Sequence, residues 1–205
     1  MAASSVEKPT IVFPQVLWDD LAKVDPNLAA DIAGAKYVGG RFTVDFLGAP
    51  HVVDPSARLV TSPANRLKAD FQKALVLLVY LAQAGRGQPY APAGRLVGPN
   101  EIPGGTMFFR GPHKLPTAPL EEAYAASPET LAAKAVSLGA FEAPPALFRW
   151  QVLPHIEIAC YFDPQDDEFP AQARYAFDAN SHLVLPLDAL WALINVVASE
   201  LLPHE

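Results

Sequence analysis

The segment from residue 62 to residue 84, SPANRLKADFQKALVLLVYLAQA, constrains the fold of this chain more than any other stretch. Ser62 is a typical helix N-cap, and Pro63 suits the first position of a helix. Apolar side chains then recur at helical spacing, at Leu67, Phe71, Leu75, Leu78 and Leu81. The second half is apolar on nearly every side, so other elements must cover it. The segment therefore predicts a central core helix over about residues 62–84.

Shorter elements are predicted on the N-terminal side of this helix. Residues 17–33 are expected to form two short helices, with Asp25 as the N-cap of the second and Pro26 at the break. Residues 39–60 alternate apolar and polar side chains between turn residues, which predicts a meander of two or three short strands.

The C-terminal half contains two helical segments, a strand pair and a last helix. Residues 120–140 predict two helices, the second capped by Ser127. In the strand around HIEIACYF one face carries Ile156, Ile158, Cys160 and Phe162, and residues 171–179 supply an antiparallel partner. Apolar positions between Leu187 and Leu201 predict an amphipathic C-terminal helix.

The order of these elements predicts the fold class. Helices and strands come in blocks without strict alternation, which favours an α+β fold with antiparallel sheet pieces over a doubly wound or barrel architecture. A length of 205 residues suits one domain, residues 1–205, and we expect residues 1–10 to form a flexible N-terminus.

Composition excludes several classes of partner. The net charge of −7 and the lack of a Lys/Arg cluster argue against nucleic acid and against an anionic membrane surface. The apolar stretches are too short to span a bilayer, and the start resembles no secretory signal, so a cytoplasmic location is expected. Cys160 is the single cysteine, so the chain has no internal disulfide, and its apolar strand indicates a buried thiol.

No established catalytic motif is present. The sequence contains no phosphate-binding glycine loop, no nucleophile elbow and no zinc-protease helix, and neither glycine pair is expected to lead into a helix whose N-terminus could hold a phosphate. No two of the five histidines share helical spacing for chelation, so no metal site is predicted and no cofactor is identified.

Residues 88–120 are rich in proline and glycine and lack periodicity, and long irregular segments of this kind are often functional. Within them, GGTMFFRGPHKLP at 104–116 concentrates polar and aromatic chemistry. Arg110 is suited to clamping a carboxylate or phosphate, and His113 to donating a proton or ligating a metal or tetrapyrrole. Phe108 and Phe109 are expected to serve as an anchor and a cavity wall. The alternative is a structural segment with core phenylalanines and an ordinary ion pair.

The second informative segment is DPQDDEFPAQARYAFDANSH at 163–182. Asp163, Asp166, Asp167 and Glu168 crowd four carboxylates at the tip of the predicted hairpin. Such a cluster suits a hard cation, or a carboxyl with a raised pKa for acid–base work. A hydrated hairpin tip is the alternative, although Phe169 beside the charges would then be exposed.

These two segments carry a resemblance. Together with FLGAPHVVDP at 46–55 and the ALVLLVYLAQA helix, they resemble domain-of-unknown-function family 3786, from about residue 37 onward. The resemblance implies a prokaryotic protein without a settled activity. Some members of that family carry an added cysteine-rich iron–sulphur module, and this chain departs from them because one cysteine cannot hold a cluster.

Three functions remain open at this stage. The first is a pocket for a small anionic ligand or cofactor between segments 104–116 and 163–182. The second is an enzyme that uses His113 with a carboxylate as an acid–base pair. The third is an interaction module whose proline-rich loop and C-terminal helix dock a partner protein. The candidate ligand-binding residues are Phe108, Phe109, Arg110, His113, Asp167, Glu168 and His182.

Overall fold

A computed structural model describes residues 14–61, 67–141 and 147–203. The α-helices of these residues are α1 Gln15–Leu21, α2 Pro26–Ala33, α3 Leu67–Ala84, α4 Gly105–Phe108, α5 Ala118–Tyr124, α6 Pro128–Ser137, α7 Ser181–Val184 and α8 Leu187–Leu201. The strands are β1 Lys36–Val38, β2 Arg41–Phe46, β3 Ala49–Asp54, β4 Leu59–Thr61, β5 Leu96–Val97, β6 Leu147–Leu153, β7 Ile156–Asp163 and β8 Gln172–Asp178. The α+β fold class is confirmed.

The strands form two antiparallel sheets. The first runs in chain order, β1-β2-β3-β4, so the predicted meander is present, with four strands instead of two or three. The second has the order β5-β8-β7-β6, with Cys160 opposite Tyr175 and Ile158 opposite Phe177. The predicted inner face of β7 is fully buried. Strand β6, which the sequence patterns did not separate from β7, joins it at a turn containing Pro154.

Helix α3 is the central helix, as predicted. It packs against α1, α2 and α8, and Leu77, Leu78 and Leu81 are completely buried. Leu75 is only partly buried at the edge of this core. The predicted cap at Ser62 and the expected flexible residues 1–10 lie outside the described residues.

Helix α8 is buried over more of its circumference than the predicted face. Besides the predicted Leu190 and Ile194, Leu193 and Val196 are fully buried, because α3, α6 and α7 pack against different sides of the helix. A buried ion pair between Lys73 of α3 and Glu200 of α8, 2.8 Å apart, lies beside this packing. Little of α8 is therefore left to dock a partner protein.

The two predicted helix caps differ in outcome. The Asp25 carboxylate accepts hydrogen bonds from the backbone N–H groups of Asn27 at 2.8 Å and Leu28 at 3.0 Å, which confirms the cap of α2. Ser127 stands at the N-cap position of α6, as predicted, but its side chain makes no capping hydrogen bond.

Residues 88–120 are more regular than their composition suggested. They contain β5, α4, the start of α5, and one-turn 3-10 helices at Pro99–Glu101 and Gly111–His113. Gly104 is the N-cap of α4, a helix of four residues that begins at Gly105. A Cβ on Gly105 would lie 2.0 Å from the carbonyl oxygen of Pro99, so only glycine allows this backbone contact.

Candidate functional site

A cleft of about 550 Å³ opens at the outer edge of β8. Its volume falls within the range of small-ligand sites, roughly 300–1,000 Å³. One wall is formed by residues of the 88–120 segment, and the other by residues of the second sheet. The lining residues are Leu96, Val97, Gly98, Pro99, Asn100, Glu101, Phe109, Lys114, Leu115, Thr117, Tyr161, Ala173, Arg174, Tyr175 and Ala176. Residues of both predicted segments, 104–116 and 163–182, therefore line one cleft.

Asp178, at the end of β8, fixes the loop that leads into the first wall. Its carboxylate is 3% exposed and accepts hydrogen bonds from the backbone N–H groups of Ala93 at 2.8 Å, Gly94 at 2.7 Å and Asn180 at 2.9 Å. Charge-assisted bonds of this kind compensate a carboxylate for its loss of water. Asp178 was not among the predicted site residues, although the Asp-Ala-Asn sequence after a strand is typical of such a side-chain-stabilised turn.

A second carboxylate supports the opposite end of the cleft. Glu121, in the first turn of α5, accepts a hydrogen bond from the backbone N–H of Ala173 at 2.9 Å.

Burial, and to a smaller extent the Glu121 charge, raise the pKa of the nearby Cys160 thiol to about 12. The thiol is thus protonated and fully buried, in agreement with its interpretation as a small core side chain.

The charges of the cleft leave one lysine free. Glu101 accepts from the backbone N–H of Gly98 at 2.9 Å and lies 3.5 Å from Arg95. Arg174 pairs with Asp163 at 2.9 Å. Lys114 is exposed and makes no ion pair or hydrogen bond from its side chain to any residue within the described ranges. The uncompensated charge of the cleft lining is therefore positive.

The aromatic residues of segment 104–116 form a stacked cluster on the core. Phe109 stacks on Phe177 of β8 at a centroid distance of 5.9 Å and also lines the cleft. Phe108 stacks on the His113 imidazole at 4.4 Å, and the edge of that imidazole meets Trp191 of α8 at 5.5 Å. Phe109 is thus a cleft wall, whereas Phe108 and His113 hold the segment against α8.

Arg110 lies between these aromatic contacts on the surface. Its side chain is exposed and forms no ion pair with the carboxylates that the structure describes. Arg110 does not belong to the cleft lining itself, although Phe109 and Lys114 on either side of it do. The structure thus leaves the guanidinium available without placing a specific anion site around it.

The carboxylate cluster at 163–168 lies at the exposed turn between β7 and β8. The Asp166 carboxylate accepts from the backbone N–H groups of Phe169 at 2.7 Å and Glu168 at 2.8 Å. Both bonds lower the pKa of Asp166, and the bond from Phe169 makes the larger contribution. The acid–base hypothesis required a carboxyl with a raised pKa, and Asp166 is not such a carboxyl. Asp167 and Glu168 are exposed. Phe169 is 62% exposed, as the alternative of a hairpin tip implied.

Among the described residues, no carboxylate is bonded to His113 as the acid–base hypothesis required. His113 makes no hydrogen bond or ion pair with Asp167 or Glu168, both of which are described. His182, in α7, bonds through Nδ1 to the carbonyl oxygen of Ala179 at 2.9 Å, and since a carbonyl only accepts, Nδ1 carries the proton. No group of three or more His, Cys, Asp or Glu side chains in the described part of the chain is placed to hold a metal ion.

The fold and the cleft define an α+β domain with a ligand-sized cleft at the edge of its second sheet. The model of the family described as domain of unknown function DUF3786 matches residues 25–200, and the chain belongs to that family. The resemblance seen in the sequence is thereby confirmed. No curated protein and no solved structure matches the chain. Among the described helices, none is long and apolar enough to cross a membrane.

Proposed function

We propose that this protein binds a small anionic ligand in the cleft between residues 96–117 and strand β8. The observation that carries the proposal is the Lys114 ammonium, which has no partner in the described part of the chain and lies beside an aromatic and apolar wall. Binding sites for small molecules combine mostly apolar walls with a few polar groups that fix the orientation of the ligand. Lys114 supplies such a group, and Phe109 and Tyr161 supply flat apolar surfaces.

Charge favours an anion over a cation in this cleft. The protein as a whole carries a net charge of −7, so a cation would find many other places to bind. The Glu101 carboxylate is already occupied by Arg95 and by the backbone N–H of Gly98. Lys114 then offers the uncompensated positive charge, and the Arg174 guanidinium, which is paired with Asp163, lies over the Tyr161 ring at 5.5 Å. Arg110, exposed beside Phe109, is proposed to add attraction at the rim.

This proposal assigns different roles to the remaining sequence-predicted residues. His113 and Phe108 position Phe109 and Lys114 through their packing on Trp191 and on each other. Asp167 and Glu168 lie on the exposed turn and repel a second anion from that side. An acid–base reaction through His113 is not favoured, because its ring faces aromatic neighbours.

Titration with succinate and with inorganic phosphate, followed by backbone amide chemical shifts, tests the proposal. We expect saturable shifts confined to residues 96–101, 109–117 and 173–176. Because a hydrogen bond to a charged group contributes about 1.5–3 kcal/mol, Lys114→Ala should weaken binding by roughly 10–150-fold, whereas Lys114→Arg should retain most of it.

Lys36, exposed on β1 of the other sheet, gives the matched control. Lys36→Ala removes the same charge from the protein without touching the cleft, so the affinity should stay unchanged. If neither anion gives saturable shifts, or if Lys114→Ala binds as tightly as Lys36→Ala, the proposed anion site is wrong.

A further inference from the structure

The edge of β8 that faces the cleft is only partly covered. Strand β5 pairs with the end of β8 alone, Leu96 opposite Asp178 and Val97 opposite Phe177. At the other end, Glu121 accepts the backbone N–H of Ala173. Tyr175 lies between these two covered positions of β8 and lines the cleft.

Two hydrogen bonds establish which backbone groups point towards the cleft. The N–H of Ala173 donates to Glu121, and the N–H of Ala179 donates to the carbonyl oxygen of Arg95 at 2.9 Å, both on the side of β8 away from β7. In an antiparallel strand every second residue directs its N–H and C=O to the same edge. The N–H and C=O of Tyr175 therefore point to this edge, where the described residues offer them no partner.

The pairing of β5 with β8 ends for a reason visible in the sequence. Continuing the register from Val97 and Phe177 places Pro99 opposite Tyr175. Proline has no N–H to donate to the Tyr175 carbonyl, and here it begins a 3-10 helix whose backbone turns away to pack on Gly105. The cleft occupies the space into which a longer β5 would have extended.

We infer that the ligand of this cleft is an extended peptide with an acidic side chain, which adds an antiparallel strand to β8 at Tyr175. The inference rests on the proposed anion site and names its ligand class. One peptide residue exchanges both backbone hydrogen bonds with Tyr175, and the residue two positions further donates to the Ala173 carbonyl. Strand addition of this kind takes affinity from main-chain bonds and specificity from side-chain contacts.

The side-chain contacts follow from the lining of the cleft. Lys114 receives the acidic side chain, and Phe109 and Leu115 contact the apolar side chains of the peptide. A small organic acid would satisfy Lys114 alone and would leave the Tyr175 groups to water. Peptide amides match the acceptor and donor groups of the open edge, so a peptide uses contacts that the acid cannot.

The test uses acetylated pentapeptide amides of valine and threonine in which one aspartate is moved through the five positions. Each is titrated into the protein beside succinate, with affinities read from amide chemical shifts. We expect at least one peptide to bind tenfold or more tighter than succinate and to slow hydrogen exchange at the Tyr175 amide, which succinate leaves unchanged.

Peptides with one N-methylated amide separate strand addition from binding through the carboxylate alone. Successive amides of an extended peptide point to opposite sides, so methylation should abolish the gain over succinate at alternate positions and spare it at the others. The inference is overturned, with the anion site intact, if no peptide exceeds succinate or if all methylated positions behave alike. If succinate, phosphate and every peptide fail to bind, both proposals fall.

Discussion

Replacing Asp178 by Asn measures how strongly one buried carboxylate holds the wall of the cleft. One carboxylate oxygen accepts from Ala93 and Asn180, and the other accepts from Gly94 at 2.7 Å. Asparagine has the same shape but keeps only one acceptor oxygen. Its amide NH₂ would face another N–H donor, whichever way the side chain is turned.

The magnitude follows from these three bonds. At least one hydrogen bond to a charged acceptor, about 1.5–3 kcal/mol, is lost, and those that remain become weaker neutral bonds. The free energy of unfolding should fall by roughly 2–4 kcal/mol. For proteins of this size, 1 kcal/mol shifts the melting temperature by about 2–4 °C, so the melt should move down by roughly 4–16 °C. Thermal denaturation followed by circular dichroism measures this change.

Asp45→Asn is the matched control, since Asp45 is exposed on β2 and has no hydrogen-bond partner among the described residues. Its effect should stay within about 0.5 kcal/mol. If Asp178→Asn and Asp45→Asn have the same melting temperature, the three hydrogen bonds do not hold the loop at residues 91–95. In that case the account of the cleft wall would be refuted.

Three further predictions concern the core, the glycine contact and acid stability. Leu78→Ala should cost about 2–5 kcal/mol in chemical denaturation and the half-buried Leu75→Ala clearly less, and equal costs would contradict the central position of α3. Gly105→Ala should destabilise by about 1–3 kcal/mol because its Cβ meets the Pro99 carbonyl, whereas Gly98→Ala, with nothing closer than 3.7 Å, should not. Hydrogen bonds from Ser56, Ala57 and Arg41 lower the pKa of Asp54, so its stabilisation is complete above the ordinary carboxyl pKa and is lost as the pH falls through the lower folded value. Asp54→Asn should therefore make the free energy of unfolding depend less steeply on pH in the acid range. An unchanged pH dependence would contradict this role of Asp54.

The elements that the sequence predicted best are those whose signal is local. The α2 cap depends on Asp25 and the two residues that follow Pro26, and the inner face of β7 depends on alternate apolar side chains over seven positions. The short elements between residues 88 and 120 gave no such signal. Helix α4 exists because Gly105 packs on the Pro99 carbonyl, and a contact between two turns has no periodicity for a sequence pattern to reveal.

The candidate site was predicted in its segments but not in its individual residues. Aromatic and cationic side chains between glycine and proline led to the prediction of a binding segment, and Phe109 of this segment lines the cleft. The contribution of Lys114 was missed because a lone lysine in a sequence is indistinguishable from any surface charge. Asp167 and Glu168 were chosen for their charge density, whereas the turn that separates them from the cleft is a property of the hairpin geometry.

By itself the sequence determined the fold class, the central helix and the pairing of β7 with β8, because burial periodicity and turn residues act over a few neighbouring positions. Only the tertiary structure decided where the cleft opens, that Lys114 in its lining has no ion-pair partner among the described residues, and which edge of β8 is uncovered. Each of these features depends on contacts between segments that are distant in the sequence. Pro99 lies opposite Tyr175, Glu121 accepts a hydrogen bond from Ala173, and Asp178 accepts hydrogen bonds from residues 93 and 94. Such long-range meetings are set by the packing of the whole chain, and packing leaves no local pattern in the order of the residues.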